Sequence, residues 1–168
     1  MMLELSKIYG ASRVFAAQRS KGRLEMAKSF REDARFIATE DEDLVKTVME
    51  ETGGEGVDLA ITTAGTVQAH ADAIAMVRHR GYVNLFGGLK NQPDLCIDSN
   101  QIHYKECFVM GSHGSLPRHH AIAVDCIANS YVHAGNYISK TFPLSDIEAA
   151  LSYHESRKGL KVIVKPGE

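Results

Sequence analysis

From Ser12 onward, short β-branched or aromatic runs alternate with longer amphipathic stretches, and this rhythm limits the folds open to the 168-residue chain more than any other feature. Strand and helix signals joined by short loops describe successive βα units. The pattern predicts a first strand over 13–17, a helix with Leu24, Ala27 and Lys28 in register over 23–30, and a second strand over 34–38. Asp41 is placed to cap the next helix, which carries Leu44, Val45, Val48 and Met49 on one face and stops at Thr52-Gly53-Gly54. A third strand follows over 57–61, a third helix over 67–78, and a fourth strand over 82–86 ahead of Gly87-Gly88. Beyond them the pattern predicts a short helix over 98–104, a buried strand over 107–110 and a helix over 117–129 whose Pro117 suits the first turn. After Gly135 the rhythm changes, to one amphipathic helix over 143–154 and a last strand over 160–164. At the start, Leu3, Leu5 and Ile8 sit at helical spacing just ahead of Tyr9-Gly10, as if the chain began inside an element.

Such alternation implies an α/β fold with a mostly parallel sheet and helices on both faces, because right-handed crossovers leave little other choice. Ligands of such sheets lie at the carboxyl ends of the strands. Those ends are Ala17-Gln18-Arg19-Ser20, Thr62-Thr63-Ala64-Gly65, Phe86-Gly87-Gly88 and Gly111-Ser112-His113-Gly114, mostly glycine and small residues that let backbone approach a ligand. Composition points to a small-molecule partner. The chain is 44% hydrophobic and 24% charged, enough for one globular core, while a formal charge of -2 without a Lys/Arg block argues against nucleic acid and anionic membranes. No apolar run could span a bilayer, and the start lacks the basic-then-apolar order of a signal peptide. Cys96, Cys107 and Cys126 form no CxxC pair and read as buried thiols of a cytoplasmic protein.

Several segments together resemble the medium-chain dehydrogenase/reductase superfamily, and within it the zinc-type alcohol and polyol dehydrogenases of the sorbitol and threonine dehydrogenase kind. They are Arg23-Leu24-Glu25-Met26-Ala27-Lys28, Thr52-Gly53-Gly54-Glu55-Gly56-Val57-Asp58, Phe86-Gly87-Gly88, Ile102-His103-Tyr104-Lys105-Glu106, Phe142-Pro143-Leu144 and the closing Gly159-Leu160-Lys161-Val162-Ile163-Val164-Lys165-Pro166. Their order and spacing cover essentially the whole chain. The resemblance implies a Rossmann-like cofactor domain over 1–136, lacking its first strand and glycine-rich loop, and a segment over 137–168 that returns to an absent catalytic domain. It also implies that zinc and the catalytic groups belong to that absent domain, that this chain holds no catalytic or metal residue, and that alone it binds cofactor poorly and catalyses little or nothing. In the complete enzyme it implies a homo-oligomer moving hydride between nicotinamide and an alcohol or carbonyl. The first strand would lie centrally, between the strands ending at Ala17 and Ile61. Without it those neighbours either pair directly or leave buried backbone groups unpaired at about 1–3 kcal/mol each. A marginal or aggregation-prone product is the expectation, since total stabilities run only to about 5–15 kcal/mol.

The resemblance also assigns the cofactor contacts. Gln18-Arg19-Ser20 stands where members that prefer NAD carry an acid for the adenosine ribose hydroxyls. Arg19 can meet a 2′-phosphate with paired charged donors and Ser20 can add a hydroxyl, so NADP is favoured over NAD; a solvated loop arginine is the alternative. Arg23 either lies along the adenosine ribose or makes a surface ion pair. Thr63, Ala64 and Gly65 match the small-residue exit beside adenine and ribose, and Gly87, Gly88, Ser112 and His113 match the loops on the nicotinamide side. Asp58 reads as a cap or ion pair. Neither the adjacent His119-His120 nor the scattered His103, His113, His133 and His154 have metal-ligand spacing, and Gly53-Gly54-Glu55-Gly56 precedes a strand, so it is a turn and not a phosphate cradle. A zinc-free quinone or enoyl reductase, a standalone nucleotide-binding module, an S-adenosylmethionine site and a functionless truncated product remain as alternatives.

Overall fold

Every strand expected from the sequence is present, with ends moved wherever pairing to a neighbour outweighs the local pattern. The structure is a computed structural model and describes residues 1–19, 21–89, 91, 94–156 and 158–167. In chain order its elements are α1 (Met2–Ile8), β1 (Phe15–Gln18), α2 (Lys21–Lys28), β2 (Arg35–Ala38), α3 (Leu44–Glu51), β3 (Val57–Thr62), α4 (Val67–Met76), β4 (Val77–Leu85), α5 (Ser99–Lys105), β5 (Phe108–Gly111), α6 (Pro117–Ala128), β6 (Ile138–Pro143), α7 (Ile147–Glu155) and β7 (Lys161–Lys165). Short 3-10 turns occupy Ala134–Tyr137 and Leu144–Asp146. All ladders are parallel, in sheets ordered β1-β2, β3-β4-β5 and β6-β7. Among the described residues β1 thus has its ladder with β2 alone, and β3 with β4 alone. Among the described residues no helix is long and apolar enough to cross a membrane.

Five expectations need correction. The helix over 67–78 ends at Met76, because Val77 pairs with Val57 and opens β4, which therefore runs five residues longer at its start than its apolar run suggests. Asp43, and not Asp41, caps α3, its carboxylate accepting from the Lys46 backbone N–H at 2.9 Å; Asp41 lies too early to reach an unpaired donor of the first turn. The helix over 143–154 is a strand end, a 3-10 turn and then α7, because Pro143 closes the β6–β7 ladder opposite Lys165. β5 is exposed along its whole length, being an outer strand with one neighbour among the described residues, and Phe108 keeps 51% of its surface. Of the three cysteines, all free, only Cys107 is buried; Cys126 is half-buried, and Cys96 is exposed in the connection between β4 and α5.

The chain packs as two units. One comprises Met1–Ala38 with Leu116–Glu168. Its α1 is tied down by buried polar side chains: the Glu4 carboxylate accepts from the Tyr137 hydroxyl, from the His133 backbone N–H at 3.1 Å and pairs with His133 Nδ1 at 2.9 Å. Buried Arg31 donates to Ser6 Oγ at 2.9 Å and to the Ala11 carbonyl at 2.7 Å, and it also pairs with Asp33 at 3.0 Å. Phe30 stacks on Tyr137 with ring centroids 4.2 Å apart.

The other unit is Thr39–Ser115. Its core gathers Ala60, Ala73, Ile74, Val77, Val83 and Cys107, on the sheet face that α4 and α5 cover. Burying an Ile or Val side chain contributes roughly 1.5–3 kcal/mol, so Ile74, Val77 and Val83 each stabilise the unit by about that much. The opposite face of the sheet is apolar and open: Leu59 remains 53% exposed, and Tyr82 and Phe108 stack on each other at 4.8 Å. At the amino end of β4, Arg78 Nε sits 2.5 Å from Asp58, the ion pair expected for that acid.

Candidate functional site

The parallel register aligns three strand exits in the unit 39–115. Thr62 pairs with Leu85 and Leu85 with Gly111, so the residues after β3, β4 and β5 leave side by side along one edge of the sheet. Thr63, Ala64, Gly65, Gly87, Gly88, Ser112 and His113, all singled out from the sequence, therefore share that edge. The Gly87 N–H donates to the Thr62 carbonyl at 2.7 Å. A Cβ on Gly87 would stand 2.8 Å from the Thr63 carbonyl oxygen, so only glycine allows these two loops to touch. Gly88 faces open space, leaving its backbone accessible. Ser112 Oγ lies 2.9 Å from Asn84 Oδ1, and its backbone N–H reaches the Leu85 carbonyl at 3.4 Å. His113 is exposed.

In the unit 1–38 with 116–168, the carboxyl end of β1 presents half-buried Gln18 and exposed Arg19; Ser20 lies outside the described residues. Arg23, on the first turn of α2, is half-buried, and its Nε is enclosed with no hydrogen-bond partner among the described residues.

A second concavity sits at the wrong end for strand-exit chemistry. Its lining includes Met49, Glu55, Val77, Arg78, Arg80 and Lys105, at the amino end of β4. Its cations are engaged, Arg78 with Asp58, Arg80 with Glu106 at 3.6 Å, and Lys105 with the Ala75 carbonyl at 2.6 Å. Burial holds the Lys105 ammonium below its ordinary pKa.

The pattern of the family described as zinc-binding dehydrogenase matches residues 1–129. The chain belongs to the zinc-binding dehydrogenase family. A D-arabitol-phosphate dehydrogenase of Enterococcus avium is 27% identical over 98% of this chain and 46% of its own length. An L-threonine 3-dehydrogenase of Bacillus subtilis (strain 168) is 27% identical over 99% of this chain and 48% of its own length. An alcohol dehydrogenase of Thermus sp. ATN1 superposes with a TM-score of 0.89 at 25% identity, over 98% of this chain and 46% of that one. This zinc-binding dehydrogenase chain thus spans about half the length of the relatives it matches. Among its described residues no group of three or more His, Cys, Asp or Glu is placed to hold a metal.

Sequence reasoning passed over His70 and named Thr62 only as the start of a strand exit; both are buried polar residues of this family member. His70 on α4 places Nε2 2.8 Å from the Gly87 carbonyl. Thr62 Oγ1 is buried without a partner among the described residues. A signal for His70 did exist: with Ala73 and Ile74 it occupies positions i, i+3 and i+4, a polar ring in an apolar stripe.

Proposed function

We propose that this chain is the cofactor-binding portion of an NADP(H)-dependent, zinc-type alcohol or polyol dehydrogenase, with little catalysis of its own. The observation that carries this reading is the aligned edge of β3, β4 and β5, where backbone and small residues line a surface that a flat, extended ligand can approach. When bound, the nicotinamide supplies or accepts the hydride exchanged with an alcohol carbon. The chain's residues bind and orient: Thr63, Ala64 and Gly65 pass beside adenine and ribose, while Gly87, Gly88, Ser112 and His113 border the nicotinamide side. Arg23, half-buried on the first turn of α2, fits the same reading as a residue lying along the adenosine ribose. Zinc ligands and substrate contacts are assigned to the half of the relatives' length that this chain does not span. The segment 137–168 is read as the part that meets that half, and the assembled enzyme as a cytoplasmic homo-oligomer, in keeping with three free cysteines.

NADP preference rests on Gln18 and Arg19, where no carboxylate repels a 2′-phosphate. Calorimetric titration of the chain with NADPH and NADH tests it. NADPH should bind at least about tenfold more tightly, a difference of 1.4 kcal/mol, and Arg19→Ala with Gln18→Asp should reverse the order. An unchanged order refutes the preference, and no binding of either nucleotide at millimolar concentration refutes the cofactor reading itself.

A further inference from the structure

We propose that His70 is a positioning residue that sets the Phe86-Gly87-Gly88 loop for the dinucleotide, acting through the Gly87 carbonyl without touching the ligand. The inference rests on the cofactor reading above for its purpose, but its geometry stands on its own. His70 is 4% exposed, on the buried stripe of α4, and its Nε2 lies 2.8 Å from the Gly87 carbonyl oxygen. A carbonyl oxygen only accepts, so Nε2 carries the proton and donates. The same glycine's N–H is held by the Thr62 carbonyl at 2.7 Å, and the space where a side chain would stand is closed by the Thr63 carbonyl. Gly87 is therefore gripped on three sides, by the last residue of β3, by the residue after it and by α4. Only one of these grips comes from a side chain.

That side chain is a polar ring on the buried face of α4, whose other members are Ala73 and Ile74. An apolar residue would fill the core equally well, so packing does not call for an imidazole. What the imidazole adds is a fixed direction for the Gly87 carbonyl, and with it the orientation of the Gly87–Gly88 peptide. A glycine pair without such a tether samples many backbone states, and a ligand lying against it would have to select one of them. The tether makes that selection in advance.

Hydrogen exchange in the ligand-free chain, with His70→Leu and His70→Gln, tests the grip. The Gln amide retains a donor near the position of Nε2, whereas Leu retains only bulk. In His70→Leu the Gly87 amide should exchange about tenfold faster while Ala73–Met76 and β4 stay within about threefold of the parent, and His70→Gln should stay within about threefold throughout. Unchanged loop exchange in His70→Leu, or an equal rise across the whole unit, overturns the proposal. Should His70→Leu not fold, His70→Gln alone decides: loop exchange raised tenfold overturns the inference, and loop exchange held near the parent supports it. A parallel titration separates the purpose from the grip. His70→Leu should weaken NADPH about tenfold and leave 2′,5′-ADP, which lacks nicotinamide, within about twofold. Equal loss for both ligands overturns the nicotinamide-side role, and a parent chain that binds neither overturns the cofactor reading while the exchange result still judges the tether.

Discussion

Replacing Glu4 with Ala removes the acceptor that ties α1 to the segment around Tyr137. In the native chain the carboxylate takes hydrogen bonds from the Tyr137 hydroxyl and from the His133 backbone and ring. The two partners respond differently to its loss. The His133 side chain is 59% exposed and recovers water, so its bond contributes little net. Tyr137 is only 6% exposed, and its hydroxyl would be left buried with nothing to donate to, at about 1–3 kcal/mol. Adding the cavity left by the side chain, we expect Glu4→Ala to cost about 2–4 kcal/mol. For a chain of this length each kcal/mol moves Tm by about 2–4 °C, so the melt should fall by about 4–16 °C. Circular dichroism melts and urea titrations of Glu4→Ala, Tyr137→Phe and the double variant measure it. The double variant should be more stable than the sum of single losses predicts, by about 1–2 kcal/mol, since removing both partners leaves no buried orphan. A Glu4→Ala melt within about 2 °C of the parent, or losses additive to about 0.3 kcal/mol, would refute the reasoning.

The same cluster gives a pH dependence. Burial pushes the Glu4 carboxyl up, but hydrogen bonds from Tyr137 and His133, with the nearby amino terminus, outweigh it and hold the group below its ordinary 4.5. The carboxylate's contribution is therefore complete above pH 4.5 and is lost as pH falls through the lower folded value, so the stability gap between parent and Glu4→Gln should close in that acid window. Burial, and then the bond to Glu4, raise the Tyr137 phenol above its ordinary 10.0; its contribution is present below that pH and fades as pH rises through the folded value, which alkaline melts of Tyr137→Phe can check. Gly87→Ala drives a methyl group against the Thr63 carbonyl, and we expect it to cost about 1–3 kcal/mol and to weaken dinucleotide binding; a neutral melt with unchanged affinity would show that the loops part without penalty.

Much of the architecture was legible in single elements. The i, i+3, i+4 spacing of Leu44, Val48 and their neighbours, the glycine stop at Gly53-Gly54 and the β-branched runs at Val57 and Phe108 need no distant partner to be recognised, so α3, β3 and β5 stand within a residue or two of their expected places. The strand exits were legible for the same reason, and the register of β3, β4 and β5 sets Thr63, Gly87 and Ser112 along one edge. Less was legible at the site's support. His70 and Gly87 are 17 positions apart, and nothing in the local pattern of α4 says which atom its ring will meet.

What the chain's order of residues settles, then, is class and direction: a period of two or of 3.6 is a property of neighbours along the backbone, and it dictates alternating strands and helices whatever surrounds them. What awaited the folded molecule is everything that depends on who lies across a ladder or a helix face. β4 begins at Val77 because Val57 is there to pair with it, Pro143 ends a strand because Lys165 lies opposite, and β5 stays exposed with β4 as its one neighbour among the described residues. The Glu4–Tyr137 tie and the His70–Gly87 tether belong to that second kind, since hydrogen bonds between distant residues exist only once the chain has closed its loops.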